Sequence, residues 1–231
     1  MELIIDGHVV SVGTGGRAFD PSLPPVVFLH GAGADHTVWA WHSRWVAHHG
    51  HSVLAVDLPG HGRSGGDPLT TVEALADWLA RLLAVAGAGP ALVVGHSLGA
   101  LVGLEAAARH PQAVRRLALI GAAAAMPVSA DLLDAAATDR PEARDMVSLW
   151  GLGARAGLGG SRAPGLWMTG MARALLERAR PGVLHADFLA CDRYAGGPAA
   201  AARVRCPTVL VLGGTSCAAL KLAITCKGSA A

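Results

Sequence analysis

The sequence predicts an α/β fold, a mostly parallel sheet with helices on both faces and an inserted helical segment before the last strand. Three observations carry that expectation. Short apolar runs alternate with helical patterns along most of the 231 residues, the signature of βαβ units. Several runs are continuously apolar rather than alternating, as strands covered on both faces require. One of them turns directly into a helix without a linker, at residues 91–110.

The elements follow in order. Leu3 to Ile5 and His8 to Val10 flank Asp6-Gly7, a two-residue hairpin signal. Residues 26–29 (VVFL) form the first continuously apolar run, and a helical stretch with Trp39, Trp41 and Trp45 comes next. Residues 52–57 (SVLAVD) read as a strand, and 58–64 (LPGHGRS) as a turn-rich loop. Thr70 with Glu73 makes a capping-box pattern. Behind it, Val72, Leu75, Leu79, Leu82, Leu83 and Ala86 keep a helical period. A strand at 91–94, a helix at 98–110 closed by Pro111, and strands at 117–120 and 208–212 complete the pattern. Between Ile120 and Cys206 the strand rhythm stops. The expected organisation is a core at 1–121, a helical cap at 122–203, a core strand at 204–214 and an atypical tail at 215–231.

Composition narrows the function classes. Hydrophobic residues make up 52% and charged residues 16% of the chain, enough for a sizeable core and too few charges for disorder. The net charge is +2 with scattered arginines, so neither nucleic acid nor a membrane is expected as a partner. The start lacks the features of a secretory leader, and no apolar run reaches the roughly 18 residues of a membrane span. A cytoplasmic protein is the expectation. Cys191, Cys206, Cys217 and Cys226 lack metal-ligand spacing and are expected to be unpaired thiols. The glycine-rich stretch at 151–165 does not follow a strand, so it carries no dinucleotide site. No cofactor and no metal are expected.

Chemistry concentrates in three places. Gly95-His96-Ser97-Leu98-Gly99 lies between the 91–94 strand and the helix from Leu98, the context a nucleophile elbow requires. Small residues at 95 and 99 would relieve crowding at so sharp a turn. The helix N-terminus would aim N–H groups, that of Leu98 first, where an oxyanion develops. His30-Gly31-Ala32-Gly33 directly follows the 26–29 strand, where the Ala32 N–H can meet the same oxyanion. One such donor is worth roughly 10²–10³ in rate. The third place is Asp57 to Ser64 (DLPGHGRS).

In this order and spacing, HGAG, DLPGHGRS and GHSLG resemble the α/β-hydrolase superfamily, in its esterase, lipase and perhydrolase branch. The resemblance covers about residues 1–214. It implies Ser97 as nucleophile, oxyanion donors at Ala32 and Leu98, and an architectural role for Asp57 and His61. It also implies attack on an ester-type, small apolar acyl substrate through an acyl-enzyme. His30, His61 and His96 are candidates for pocket or structural positions. The apolar cap residues Leu166, Trp167, Met168, Met171, Leu175, Phe188 and Leu189 suggest a pocket roof.

The resemblance also implies an acid near Gly213 to Ser216 and a histidine about 25–30 residues later. Ser216 stands at the acid's place, and the last histidine is His185. Both lysines, Lys221 and Lys227, fall in the last seventeen residues, which lack Asp, Glu, Arg and His. A frameshift or foreign sequence from near Thr215 is the expectation, with a family member that lost its C-terminal unit as the rival. With it come weak or absent turnover, an uncovered edge at the 208–212 strand, and a tendency to self-associate. A hydrolase fold that binds ligands without turnover is the alternative.

Overall fold

The computed structural model describes residues 1–123, 125–152 and 165–213. The tail from 214, with Thr215, Ser216, Cys217 and Cys226, lies outside the described residues, as does most of the glycine-rich stretch.

Seven strands form one sheet: β1 (Glu2–Ile5), β2 (His8–Gly13), β3 (Pro25–Leu29), β4 (Ser52–Val56), β5 (Ala91–His96), β6 (Val114–Ile120) and β7 (Thr208–Val211). Their spatial order is β1-β2-β4-β3-β5-β6-β7. The first two strands are antiparallel to their neighbours and the rest run parallel. The β1–β2 hairpin turns through Asp6 and Gly7 at φ 52° and 81°, the left-handed pair that a two-residue turn needs.

Helices α1 (Ala40–Ala47), α2 (Val72–Val85) and α3 (Leu98–Arg109) connect the core strands. Between β6 and β7 lie α4 (Ala130–Ala137), α5 (Pro141–Trp150), α6 (Met168–Glu177), α7 (Val183–Arg193) and α8 (Gly197–Arg203). Helix α2 begins one residue later than its capping pattern suggests. Thr71, not Thr70, is extended and accepts the Ala74 N–H at 3.2 Å. Strand β6 begins three residues before its apolar run, because Arg115 and Arg116 point outward between buried Val114 and Leu117 and break the hydrophobic pattern.

The two faces of the sheet are unequally covered. Helices α2 and α3 bury one face in the main core, built on Leu79, Leu82, Leu98, Leu101 and Leu104. On the other face, α1 and the preceding 3-10 turn (His36–Trp39) cover β3 and β4 through Trp39 and Ala47. Along a single row of that face, Ala55 and Phe28 are buried, Val94 and Ala118 are half-buried, and Val209 is 54% exposed. Among the described residues β7 is the sheet edge, with Val209, Val211 and Leu212 open to solvent. Cys191 and Cys206 are free thiols. No helix among the described residues is long and apolar enough to cross a membrane.

Helices α7 and α8 are tied to the core by a buried contact. The Tyr194 hydroxyl donates to Glu105 Oε2 at 2.7 Å, and Arg109 and Arg203 lie 3.8 and 3.6 Å from the other oxygen. Tyr194→Phe removes the neutral donor and leaves Glu105 in place. It is expected to cost about 1–3 kcal/mol, read as a lower urea midpoint with an unchanged slope.

Candidate active site

The sharpest local geometry in the chain is at Ser97. Its φ of 53° and ψ of −119° lie in a region that costs a non-glycine residue about 1–3 kcal/mol. The turn is held because strand and helix meet without slack. The Ser97 N–H donates to the Ile120 carbonyl at 2.9 Å, and its own carbonyl accepts from Ala100 and Leu101. A Cβ on Gly95 would lie 2.1 Å from the Gly99 carbonyl oxygen. One on Gly99 would lie 2.5 Å from the Leu29 oxygen and 2.6 Å from that of His30. Only glycine lets the helix start this close to β3, which is why the small residues at 95 and 99 were readable as part of the elbow.

The loop after β3 reaches the same place. A Cβ on Gly31 would lie 3.2 Å from Ser97 Cβ and 3.0 Å from His96 Nδ1. Gly31 therefore puts the backbone of the His30-Gly31-Ala32-Gly33 turn against the serine. Among the described residues, the N–H groups of Ala32 and Leu98 donate to no other group of the chain. Both remain available to an incoming acceptor.

Every histidine singled out from the sequence has a defined place. His30 is fully buried. The Leu58 N–H donates to its Nε2 at 3.2 Å, so the ring proton sits on Nδ1 and donates to the Gly31 carbonyl at 2.9 Å. Burial, reinforced by the nearby His61 charge, pushes its pKa down to about 4. His61 packs beside it with ring centroids 4.9 Å apart. Its two nitrogens face acceptors: Nδ1 donates to the Pro59 carbonyl at 3.0 Å and Nε2 to Asp187 Oδ2 at 2.8 Å. Burial alone would lower the His61 pKa, but the Asp187 carboxylate outweighs it by charge and hydrogen bond, and the net shift is upward. His96 lies on the exposed side of β5, across from Ile120, with its ring near Gly31 and Gly121. His185 is on α7 and half-buried.

Asp57 is fully buried and spent on architecture. Its Oδ1 accepts the His36 N–H and His36 Nδ1, both at 2.8 Å, and its Oδ2 accepts the Arg63 N–H at 3.1 Å. The loops after β3 and β4 are thereby pinned together. Asp35, His36 and Asp57 offer ligand atoms within 4.8 Å of one another. These same hydrogen bonds already occupy Asp57, which argues against a cation there. The His36–Asp57 pair resembles a base with its orienting acid. His36 sits over Gly13 of β2, three strands from β5.

The cap residues divide. Leu176 and Leu184 are buried with Leu132, and Phe188 packs on them, beside the loop that carries Ala32 and Gly33. Trp167, Met168 and Met171 face solvent instead. A run of large apolar residues gave no sign of which would turn inward.

Asp57 and His61 hold loops together through buried hydrogen bonds, and Asp187 was not anticipated from the sequence. A lone acid in a helical segment carries no motif. Its partners, Gly33 and His61, are 154 and 126 residues away in the chain.

The histidine shifts set a pH dependence. His61 and His36 have raised values, so their stabilisation is complete below the ordinary histidine pKa of about 6.5 and is lost as pH rises above it. The lowered value of His30 has the opposite sign, and its contribution is lost as pH falls below about 6.5. Thermal melts across pH are expected to peak near that value. His61→Gln is expected to flatten the alkaline limb.

The comparisons agree with this architecture. The family model described as "alpha/beta hydrolase fold" matches residues 24–180. Lipase LipV of Mycobacterium tuberculosis is 37% identical over 126 residues, which are 54% of this chain and 44% of that protein. A pimeloyl-[acyl-carrier protein] methyl ester esterase of Chromobacterium violaceum is 44% identical over 97 residues, 42% of this chain and 36% of that one. The chain thus aligns with less than half the length of these relatives. The crystal structure of the enol-lactonase of Burkholderia xenovorans superposes with a TM-score of 0.83 at 23% identity, covering 95% of this chain and 84% of that one. Elbow, glycine turn and sheet order together with these matches place the chain in the α/β hydrolase fold family.

Proposed function

We propose that the chain is built as a serine hydrolase of ester-type, small apolar acyl substrates. Ser97 Oγ would attack the acyl carbon, with the N–H groups of Ala32 and Leu98 receiving the developing oxyanion. The observation that carries this reading is the strained Ser97 turn set against Gly31, since strain of this kind persists where a side chain must be presented. The names of relatives, lipase and methyl ester esterase among them, support the same chemistry.

Proton transfer is the weak part of the site. Among the described residues, His30 and His61 have both ring nitrogens engaged, His36 lies over β2, and His96, whose ring lies near Gly31, makes no hydrogen bond to Ser97 Oγ. Among the described residues Ser97 Oγ has no hydrogen-bond partner. Loss of a triad histidine costs about 10⁶ in kcat, leaving roughly 10³–10⁴ over water from oxyanion stabilisation and binding. A second reading, ligand binding without turnover, is favoured by the unpartnered state of Ser97 Oγ among the described residues.

A fluorophosphonate probe is expected to label the protein slowly, and Ser97→Ala to abolish labelling. Turnover of p-nitrophenyl acetate is expected far below the enzyme median of about 10 s⁻¹. Turnover at that median would overturn the account of proton transfer. Substrate-analogue binding with neither labelling nor product would favour the binding protein.

A further inference from the structure

Asp187 joins three segments that are far apart in sequence. It lies on α7, is 1% exposed, and uses a single oxygen, Oδ2, for two contacts. One is the Gly33 N–H at 2.7 Å, in the turn that carries Ala32. The other is His61 Nε2 at 2.8 Å, in the loop after β4. We propose that Asp187 is a positioning residue for the oxyanion loop, holding from the cap the turn that presents the Ala32 N–H to Ser97. The proposal rests on the reading of Ser97 as nucleophile and Ala32 as oxyanion donor.

The placement of the bond argues for orientation rather than simple attachment. Attachment is already provided. Arg180 donates from Nε to the Gly60 carbonyl at 2.8 Å and from Nη2 to that of Ser64 at 2.6 Å. Arg178 donates to Asp35 at 3.1 Å. Leu176 and Leu184 press directly on Gly33, where an added Cβ would lie 2.9 and 2.7 Å from their methyl carbons. An additional buried charged group is an expensive way to strengthen such contact, because its desolvation cost rivals its Coulomb gain. What it supplies is direction. A carboxylate oxygen accepting an N–H fixes that peptide plane, and the Gly33 N–H belongs to the peptide unit that follows Ala32. His61 completes the arrangement from beneath, fixing where the carboxylate sits. The cap at this end is then part of the catalytic scaffold and not only a cover over the pocket.

The test has two arms, applied to wild type, Asp187→Ala, Asp187→Asn and Asp187→Glu, with folding checked by thermal melt. The first is amide hydrogen exchange, which needs no activity. Exchange in the peptide spanning 31–36 is expected to quicken by about tenfold in Asp187→Ala. Asp187→Asn, which keeps an acceptor oxygen, is expected to restore part of the protection. The second arm is fluorophosphonate labelling of Ser97, resolved into probe affinity and inactivation rate. The rate is expected to fall about tenfold in Asp187→Ala with affinity unchanged, and Asp187→Asn to recover part of it. Unchanged exchange at 31–36 in a folded Asp187→Ala protein overturns the proposal, as does a labelling loss that lies in affinity alone. Absence of labelling in wild type would strike the reading of Ser97 instead, and the exchange arm would still decide whether Asp187 holds the turn.

Discussion

The close passage of backbone at Gly99 is the constraint on which the site depends. Helix α3 starts within contact of the Leu29 and His30 carbonyls, so β5 must turn upward immediately after His96. Ser97 is forced into its left-handed conformation as a result. The same closeness brings the loop after β3 against the serine. The serine turn, the helix N-terminus and the glycine turn are one packing solution rather than three separate features. The strain is tolerable because β5 is held on both sides by parallel neighbours and α3 is buried along most of its length.

Around that point the polar groups form a closed arrangement. Asp57 pins the loops after β3 and β4, His30 ties the glycine turn to Leu58, and Asp187 bonds both loops from above. The ring nitrogens of His30 and His61 are all matched to partners, as burial favours. That completeness removes His30 and His61 from proton transfer, since neither ring keeps a free nitrogen. Among the described residues these groups hold the loops around Ser97 in place, and none of them bonds its Oγ. Among the described residues, the row from half-buried Val94 to exposed Val209 is the less covered part of its sheet face.

Much of this was legible in the chain. The glycine and serine pattern at 95–99, the HGAG turn and the DLPGHGRS loop are local signals whose meaning comes from backbone geometry over a few residues. The hairpin at Asp6-Gly7 is of the same kind. Where local pattern misled, the cause was neighbouring chemistry. Two adjacent threonines left the cap of α2 ambiguous by one residue, and two arginines hid the start of β6. The apolar content of the cap was visible, but not that Leu176 and Leu184 turn inward while Trp167 and Met171 face out.

By itself, then, the sequence determined the α/β class, the order of strands and helices, and the tight strand–turn–helix at 95–99 beside its glycine turn. It also determined that no histidine follows His185. Only the tertiary structure decided the hydrogen-bond state of each buried histidine, the positions of His36 and Asp57 in the fold, and the partners of Asp187. The reason is physical. Turns and periodicities are set by steric limits within a few residues, whereas a buried carboxylate takes its meaning from donors delivered by segments more than a hundred residues away.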